Sequence, residues 1–170
     1  MRDHFMMMAD YNSWANRLVY EAAAALSEAE FHDNKGAFFG SLSGTLNHLL
    51  ATDRIWMRRF TGTGDAPNRL DAVLHDDFAG LADARRAEDI RIIDWVSRLT
   101  EEDLRGTISY TPISNPTPVS QKLSPALAHL FNHQTHHRGQ CHMILTALGK
   151  PSLSLDLAFF TRGEGNKWAF

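Results

Sequence analysis

From Phe5 to Leu26, apolar side chains recur three and four residues apart, at Met7, Tyr11, Trp14, Leu18 and, with slight drift, Ala22. That period predicts an amphipathic helix. It runs into Leu26-Ser27-Glu28-Ala29-Glu30-Phe31, where Ser27 followed three residues later by Glu30 has the form of a capping box for a new short turn. A second helix is expected to start near Ser41 or Ser43, carry Leu42, Leu46, Leu49, Ile55, Trp56 and Phe60 inward together with His48, and stop at Gly62 and Gly64. Residues 61–77 hold two glycines, a proline and little periodicity, so they read as a long connection, of the kind that crosses between distant helix ends.

A third helix is predicted from about Phe78 to Leu99, with Leu81, Ile92, Ile93, Trp95, Val96 and Leu99 facing in and Arg85, Arg86, Glu88 and Arg91 facing water. Its end, Leu99 to Leu104, echoes Leu26 to Phe31, and Leu127-Ala128-His129-Leu130 echoes Leu46-Asn47-His48-Leu49, which suggests two related helix pairs. Between Gly106 and Lys122 the pattern changes to Thr, Ile, Tyr and Val broken by Pro112, Pro116 and Pro118, the pattern of a short irregular hairpin. A fourth helix follows, with Ser124 as N-cap and Pro125 at the first helical position, closed by Gly149 and Pro151. The tail from Leu153 to Phe160 is expected to pack as a partly helical flap. The fold class is therefore all-α: a four-helix bundle over a single domain, 1–170, with a long crossover between helices 2 and 3.

Composition narrows the function. With 44% hydrophobic and 22% charged residues the chain has the balance of a globular domain, and 17 basic against 20 acidic side chains leave a net charge of -3 without a basic face for nucleic acid. The lone Cys141 forms no internal disulfide, the apolar stretch Phe5 to Ala9 is too short for a signal peptide core, and no apolar run reaches membrane-spanning length. A cytoplasmic protein without nucleic-acid or membrane partners is the expectation.

The chemistry lies in the histidines. Four of the nine fall within the fourth helix, at 129, 133, 136 and 137. His133 and His137 are one turn apart and about 40° around the axis, so both imidazoles reach one ion from a single helix. A third ligand must then come from a facing helix, and His48, set in the apolar pattern of Leu46, Leu49 and Leu50, is the natural candidate. Three neutral imidazoles leave a divalent charge uncompensated, which sharpens Lewis acidity and leaves room for water, an anion or a thiolate. His129, one turn before His133, is an alternative ligand or a supporting group; Cys141 reads as a small core residue, Asp53 as a partner for an arginine, and Gly139 as a point of close helix approach or plain packing. Trp14, Trp56 and Trp95 read as core fillers.

The segment His129-Leu130-Phe131-Asn132-His133-Gln134-Thr135-His136-His137-Arg138-Gly139-Gln140 resembles the DinB family, whose last helix carries a His, three residues, then His-Arg-Gly-Gln. The likeness extends to Tyr11-Asn12-Ser13-Trp14-Ala15-Asn16 and to the stretch from Asn47 to Trp56, and so spans nearly the whole chain. The resemblance implies a bundle, often a homodimer, with zinc or nickel on His48, His133 and His137. It also implies thiol S-transferase, isomerase or hydrolase chemistry with low-molecular-weight thiols such as bacillithiol or mycothiol. A non-catalytic metal-binding stress-response protein is the alternative.

Overall fold

The structure, a computed structural model, describes residues 1–169. Four long helices make the body: α1 (Arg2–Ala23), α3 (Leu42–Thr61), α4 (Phe78–Arg98) and α6 (Leu123–Ala147). Short helices α2 (Glu28–His32) and α5 (Glu101–Arg105) lie in the connections, and α7 (Leu157–Arg162) and a 3-10 turn at Asn166–Trp168 follow α6. The bundle expected from the periodicity is present, and so is the short hairpin expected between Gly106 and Lys122. Strands β1 (Thr107–Tyr110) and β2 (Val119–Lys122) pair antiparallel, Thr107 opposite Lys122 and Tyr110 opposite Val119, and the three prolines fall in or beside the loop between them.

Helix ends follow local chemistry. The two echoing segments both become capped turns: Ser27 with Glu30 closes a capping box on α2, and Thr100 with Asp103 does the same on α5. Ser41 caps α3 through Gly44 N–H, and Gly62 ends it at φ 71°. At the far end of α6, Lys150 N–H donates to Leu145 O and Gly149 N–H to Thr146 O, with Gly149 at φ 73°, the double closure that a left-handed residue allows. The start of α6 differs from expectation. It begins at Leu123, directly from β2, without a side-chain cap; Pro125 therefore sits at the third helical position, where its missing N–H is still among those no carbonyl awaits.

Around the barrel of the bundle the order is α1, α4, α3, α6. Asn16 of α1 meets Asp89 of α4, Phe5 stacks near Phe131 of α6, and Leu49 of α3 meets Gln134 of α6. Helices α1 and α6 thus run one way, α3 and α4 the other. Two parallel neighbours cannot be joined by a tight turn, and the connection over 62–77 runs back along α3, where Leu74 N–H and His75 N–H donate to Asn47 Oδ1. This is the long crossover that the sequence predicts.

The core has two apolar ends and a polar middle. One end gathers Val19, Phe31, Leu42, Leu46 and Ile144, the other Phe5, Met57, Ile92, Leu127 and Phe131. Between them lie Asn12, Asn16, Asp53, Arg85, Asp89, Gln134 and Arg138, all buried. Arg85 Nη1 donates to Asp53 Oδ2 at 2.7 Å, and Arg85 Nη2 lies 2.9 Å from Asp89 Oδ1. Asn16 Nδ2 donates to Asp89, and Arg138 Nη1 donates to Asn16 and to Asn12. Two sequence expectations fail here. Arg85 and Glu88 are buried, not water-facing, and the buried stripe of α1 runs through Phe5, Ala9, Asn12, Ala15, Asn16 and Val19; of the expected positions Tyr11 is buried, while Met7, Trp14 and Leu18 are only half-buried. The reason is charge matching: Arg85 and Arg138 offset Asp53 and Asp89, and Glu88 pairs with Arg91, so charged positions that a count of apolar positions assigns to solvent are buried. Asp53 does find an arginine, as expected.

Trp56 is buried, whereas Trp14 and Trp95 are half-buried, Trp14 under Phe160 of the C-terminal flap at 5.4 Å between ring centroids. Among the described residues no helix is long and apolar enough to cross a membrane.

Candidate metal centre

His48 lies in the second turn of α3, and His133 and His137 lie on the facing stripe of α6. Because these two helices run antiparallel and in contact, three imidazoles meet at one level of the seam. His48 Nε2 is 3.3 Å from His133 Nε2 and 3.2 Å from His137 Nε2, and the ligand atoms of all three lie within 4.8 Å of one another. His48 and His137 are buried and His133 is half-buried.

The outer nitrogens decide what the inner ones present. His48 Nδ1 is 2.7 Å from Leu70 O, and since a carbonyl only accepts, Nδ1 carries the proton. His137 Nδ1 is 2.7 Å from Gln140 Oε1, with the amide set oxygen-inward, so its proton is also on Nδ1. In the neutral rings both Nε2 atoms are then bare lone pairs, aimed at each other across 3.2 Å. Two lone pairs at that distance repel unless a cation or a proton lies between them. Protonation is opposed: burial pushes His48 down to about 4 and His133 down to about 3, the latter lowered further by His137 and His48, and burial lowers His137 as well. The donor set fits a metal ion. Four nitrogens arranged tetrahedrally at Zn–N distances of about 2.0–2.1 Å stand about 3.3 Å apart, which is the spacing from His48 Nε2 to each of the other two Nε2 atoms.

Neighbouring residues sort clearly. Phe39, in the loop before α3, stacks on His48 with 3.8 Å between ring centroids at 19° and meets His137 edge-on at 5.6 Å. His129 is exposed and lies against Trp56 at 5.1 Å, and His136 is exposed with its ring edge-on to His137 at 4.7 Å. Neither joins the group of potential ligands. Cys141 is fully buried, and burial pushes its thiol up to about 12, so it is a core residue. His142 Nε2 instead accepts from Leu153 N–H and holds the C-terminal flap. Of the two readings of Gly139, close helix approach fails: a Cβ there would meet nothing within 4 Å.

The sequence brought forward His48, His133 and His137, and the fold brings all three together. It missed Phe39 and the Leu70 carbonyl. Both come from segments without periodicity, where only the three-dimensional path of the chain shows what they touch.

Comparison with known proteins supports the family resemblance and the fold. The model of the DinB family matches residues 1–168. Protein DinB of Bacillus subtilis (strain 168) is 27% identical over 173 residues, covering 94% of this chain and 95% of that protein. The crystal structure of a DinB-like protein from Bacillus cereus ATCC 10987 superposes with a TM-score of 0.69 at 16% identity, covering 88% of this chain and 94% of that one.

Proposed function

Since this chain belongs to the DinB family, we propose that it is a metal-dependent enzyme, of thiol S-transferase or hydrolase type, in which His48, His133 and His137 hold a divalent zinc or nickel ion. The observation that carries this reading is the pair of Nε2 lone pairs on His48 and His137, each fixed from behind and facing the other at 3.2 Å. No fourth His, Cys, Asp or Glu joins the group among the described residues, which suits catalysis better than a closed structural site.

When bound, the ion supplies Lewis acidity, lowering the pKa of a thiol or water donor. The residues do the rest. Burial keeps the imidazoles neutral and ready to donate. Leu70 and Gln140 fix the rotation of two of the rings, and Phe39 keeps water from one face of His48. A low-molecular-weight thiol is the substrate class proposed, and a cytoplasmic homodimer the expected state. A second reading, a non-catalytic metal-binding stress-response protein, draws on the low exposure of His48 beneath Phe39.

The two readings separate in a transfer assay with cysteine as thiol and 1-chloro-2,4-dinitrobenzene as electrophile. The sulfur–carbon bond forms as the carbon–chlorine bond breaks, chloride leaves, and the thiol proton passes to solvent. Transfer above the uncatalysed rate should vanish on chelation, return with zinc in the wild type, and not return in His137→Ala. Equal rates in chelated, reloaded and His137→Ala protein would contradict the catalytic reading.

A further inference from the structure

Residues 36–40 form a tight turn beside the histidine site, closed by Gly40 N–H donating to Ala37 O at 2.8 Å and Lys35 N–H donating to Gly40 O at 3.0 Å. The flanking Gly36 and Gly40 take φ values of 78° and 76°, which other residues rarely adopt. The two central positions of such a turn normally take small polar residues or proline. Here they are Phe38 and Phe39.

Phe39 is the inward member, stacked on His48. Its main chain is clamped against α3: a Cβ on Gly44 would lie 2.2 Å from Phe39 O, so only glycine at 44 admits this approach. The clamp turns Phe38 outward. It is 84% exposed, above every other large apolar side chain of the described residues, and its ring meets that of Phe39 edge-on at 4.9 Å. Three rings, Phe38, Phe39 and His48, thus run in sequence from solvent to the site. A turn that breaks turn chemistry to hold an aromatic ring largely in water gains only the one edge-on contact with Phe39 within the chain, and such departures concentrate at functional surfaces.

We propose that Phe38 is a specificity-determining residue, the surface on which the apolar, planar body of a small-molecule substrate packs while its reactive head reaches the His48, His133 and His137 site. This rests on the metal-site reading above. The occupant is a small molecule because the exposed apolar surface is a single side chain, joined to the site through the Phe39 ring. Burial of one aromatic face is enough to select among ligands that share a head group.

The test uses full-length protein loaded with cobalt(II), whose visible spectrum reports ligands at the ion. Ethanethiol and 2-phenylethanethiol carry similar alkyl thiol heads and differ in the aromatic body. The wild type should bind the aryl thiol about tenfold or more tightly than ethanethiol. Phe38→Ala, at an exposed turn position where folding is not at stake, should shrink that preference to about threefold or less with cobalt content unchanged. Ile90→Ala, an exposed apolar position on α4, should keep the wild-type preference. An unchanged preference in Phe38→Ala overturns the inference and leaves the metal site standing. If Phe38→Ala changes instead the sedimentation of the protein from dimer to monomer without changing the preference, Phe38 faces a second copy and the inference is wrong. Failure of the wild type to bind cobalt overturns the metal-site reading, and this inference with it.

Discussion

Removing the side-chain amide of Gln140 should loosen the metal without loosening the fold. Its Oε1 accepts from His137 Nδ1–H at 2.7 Å and is the only side-chain hydrogen-bond partner of that nitrogen among the described residues. In Gln140→Leu the ring loses a hydrogen bond worth about 0.5–1.5 kcal/mol net, and also the constraint that points Nε2 at His48. Partners of this kind typically cost about 10–100-fold in metal affinity when removed, or roughly 1.4–2.7 kcal/mol. Because Gln140 is half-buried and leucine is of similar size, the metal-free melting temperature should hold. Competition for zinc against a chromophoric chelator measures the affinity, and circular dichroism of the metal-free protein supplies the control. Gln140→Glu keeps an acceptor and makes the ring a better donor, so it should bind at least as tightly as wild type. Wild-type affinity in Gln140→Leu, or weaker binding in Gln140→Glu than in Gln140→Leu, would refute the role assigned to this residue.

The buried layer and the loops make further claims. Arg85→Met strands the carboxylates of Asp53 and Asp89, which burial already raises, and should cost about 3–5 kcal/mol in urea unfolding; the triple variant that also carries Asp53→Asn and Asp89→Asn should recover most of it. The metal-free protein should lose stability on acidification: His48 binds a proton at about 4 in the folded state against 6.5 unfolded, so its contribution is intact above 6.5 and falls between 6.5 and about 4. The full loss is on the order of 3 kcal/mol, and the difference between wild type and His48→Asn across that window isolates it from the buried carboxylates; an identical pH slope in the two would count against a neutral buried His48. Gly44→Ala should destabilise by about 1–3 kcal/mol because its Cβ meets the Phe39 carbonyl. Gly139→Ala, whose Cβ meets nothing, should instead stabilise by about 1 kcal/mol, both read as shifts in thermal midpoint.

How far the sequence reached depended on periodicity. The four long helices, the long connection at 62–77 and the convergence of His48 with His133 and His137 were all legible, because a period of 3.6 fixes which side chains share a face. The buried polar layer was not, since reading apolar positions as inward sends Arg85 and Glu88 to solvent and passes over Asn12 and Asn16. Their burial depends on partners from other helices, Asp53 of α3 for Arg85 and Arg138 of α6 for Asn12 and Asn16, and no single stretch of sequence contains those. The same holds for the supports of the site. Leu70 contributes only its carbonyl, which carries no sequence signature, and Phe39 reaches His48 through a turn whose composition defies turn rules. Gln140 was visible on the ligand side of α6, but its bond to His137 Nδ1 is a matter of rotamer.

Metal content measured by mass spectrometry on protein purified without a nickel column tests the central claim most directly. The wild type should carry about one divalent ion per chain, and His48→Ala, His133→Ala and His137→Ala should each lose most of it while remaining helical. Full metal content in any of the three, or a folded wild type that takes up neither zinc nor nickel when supplied, would contradict a site built from these imidazoles.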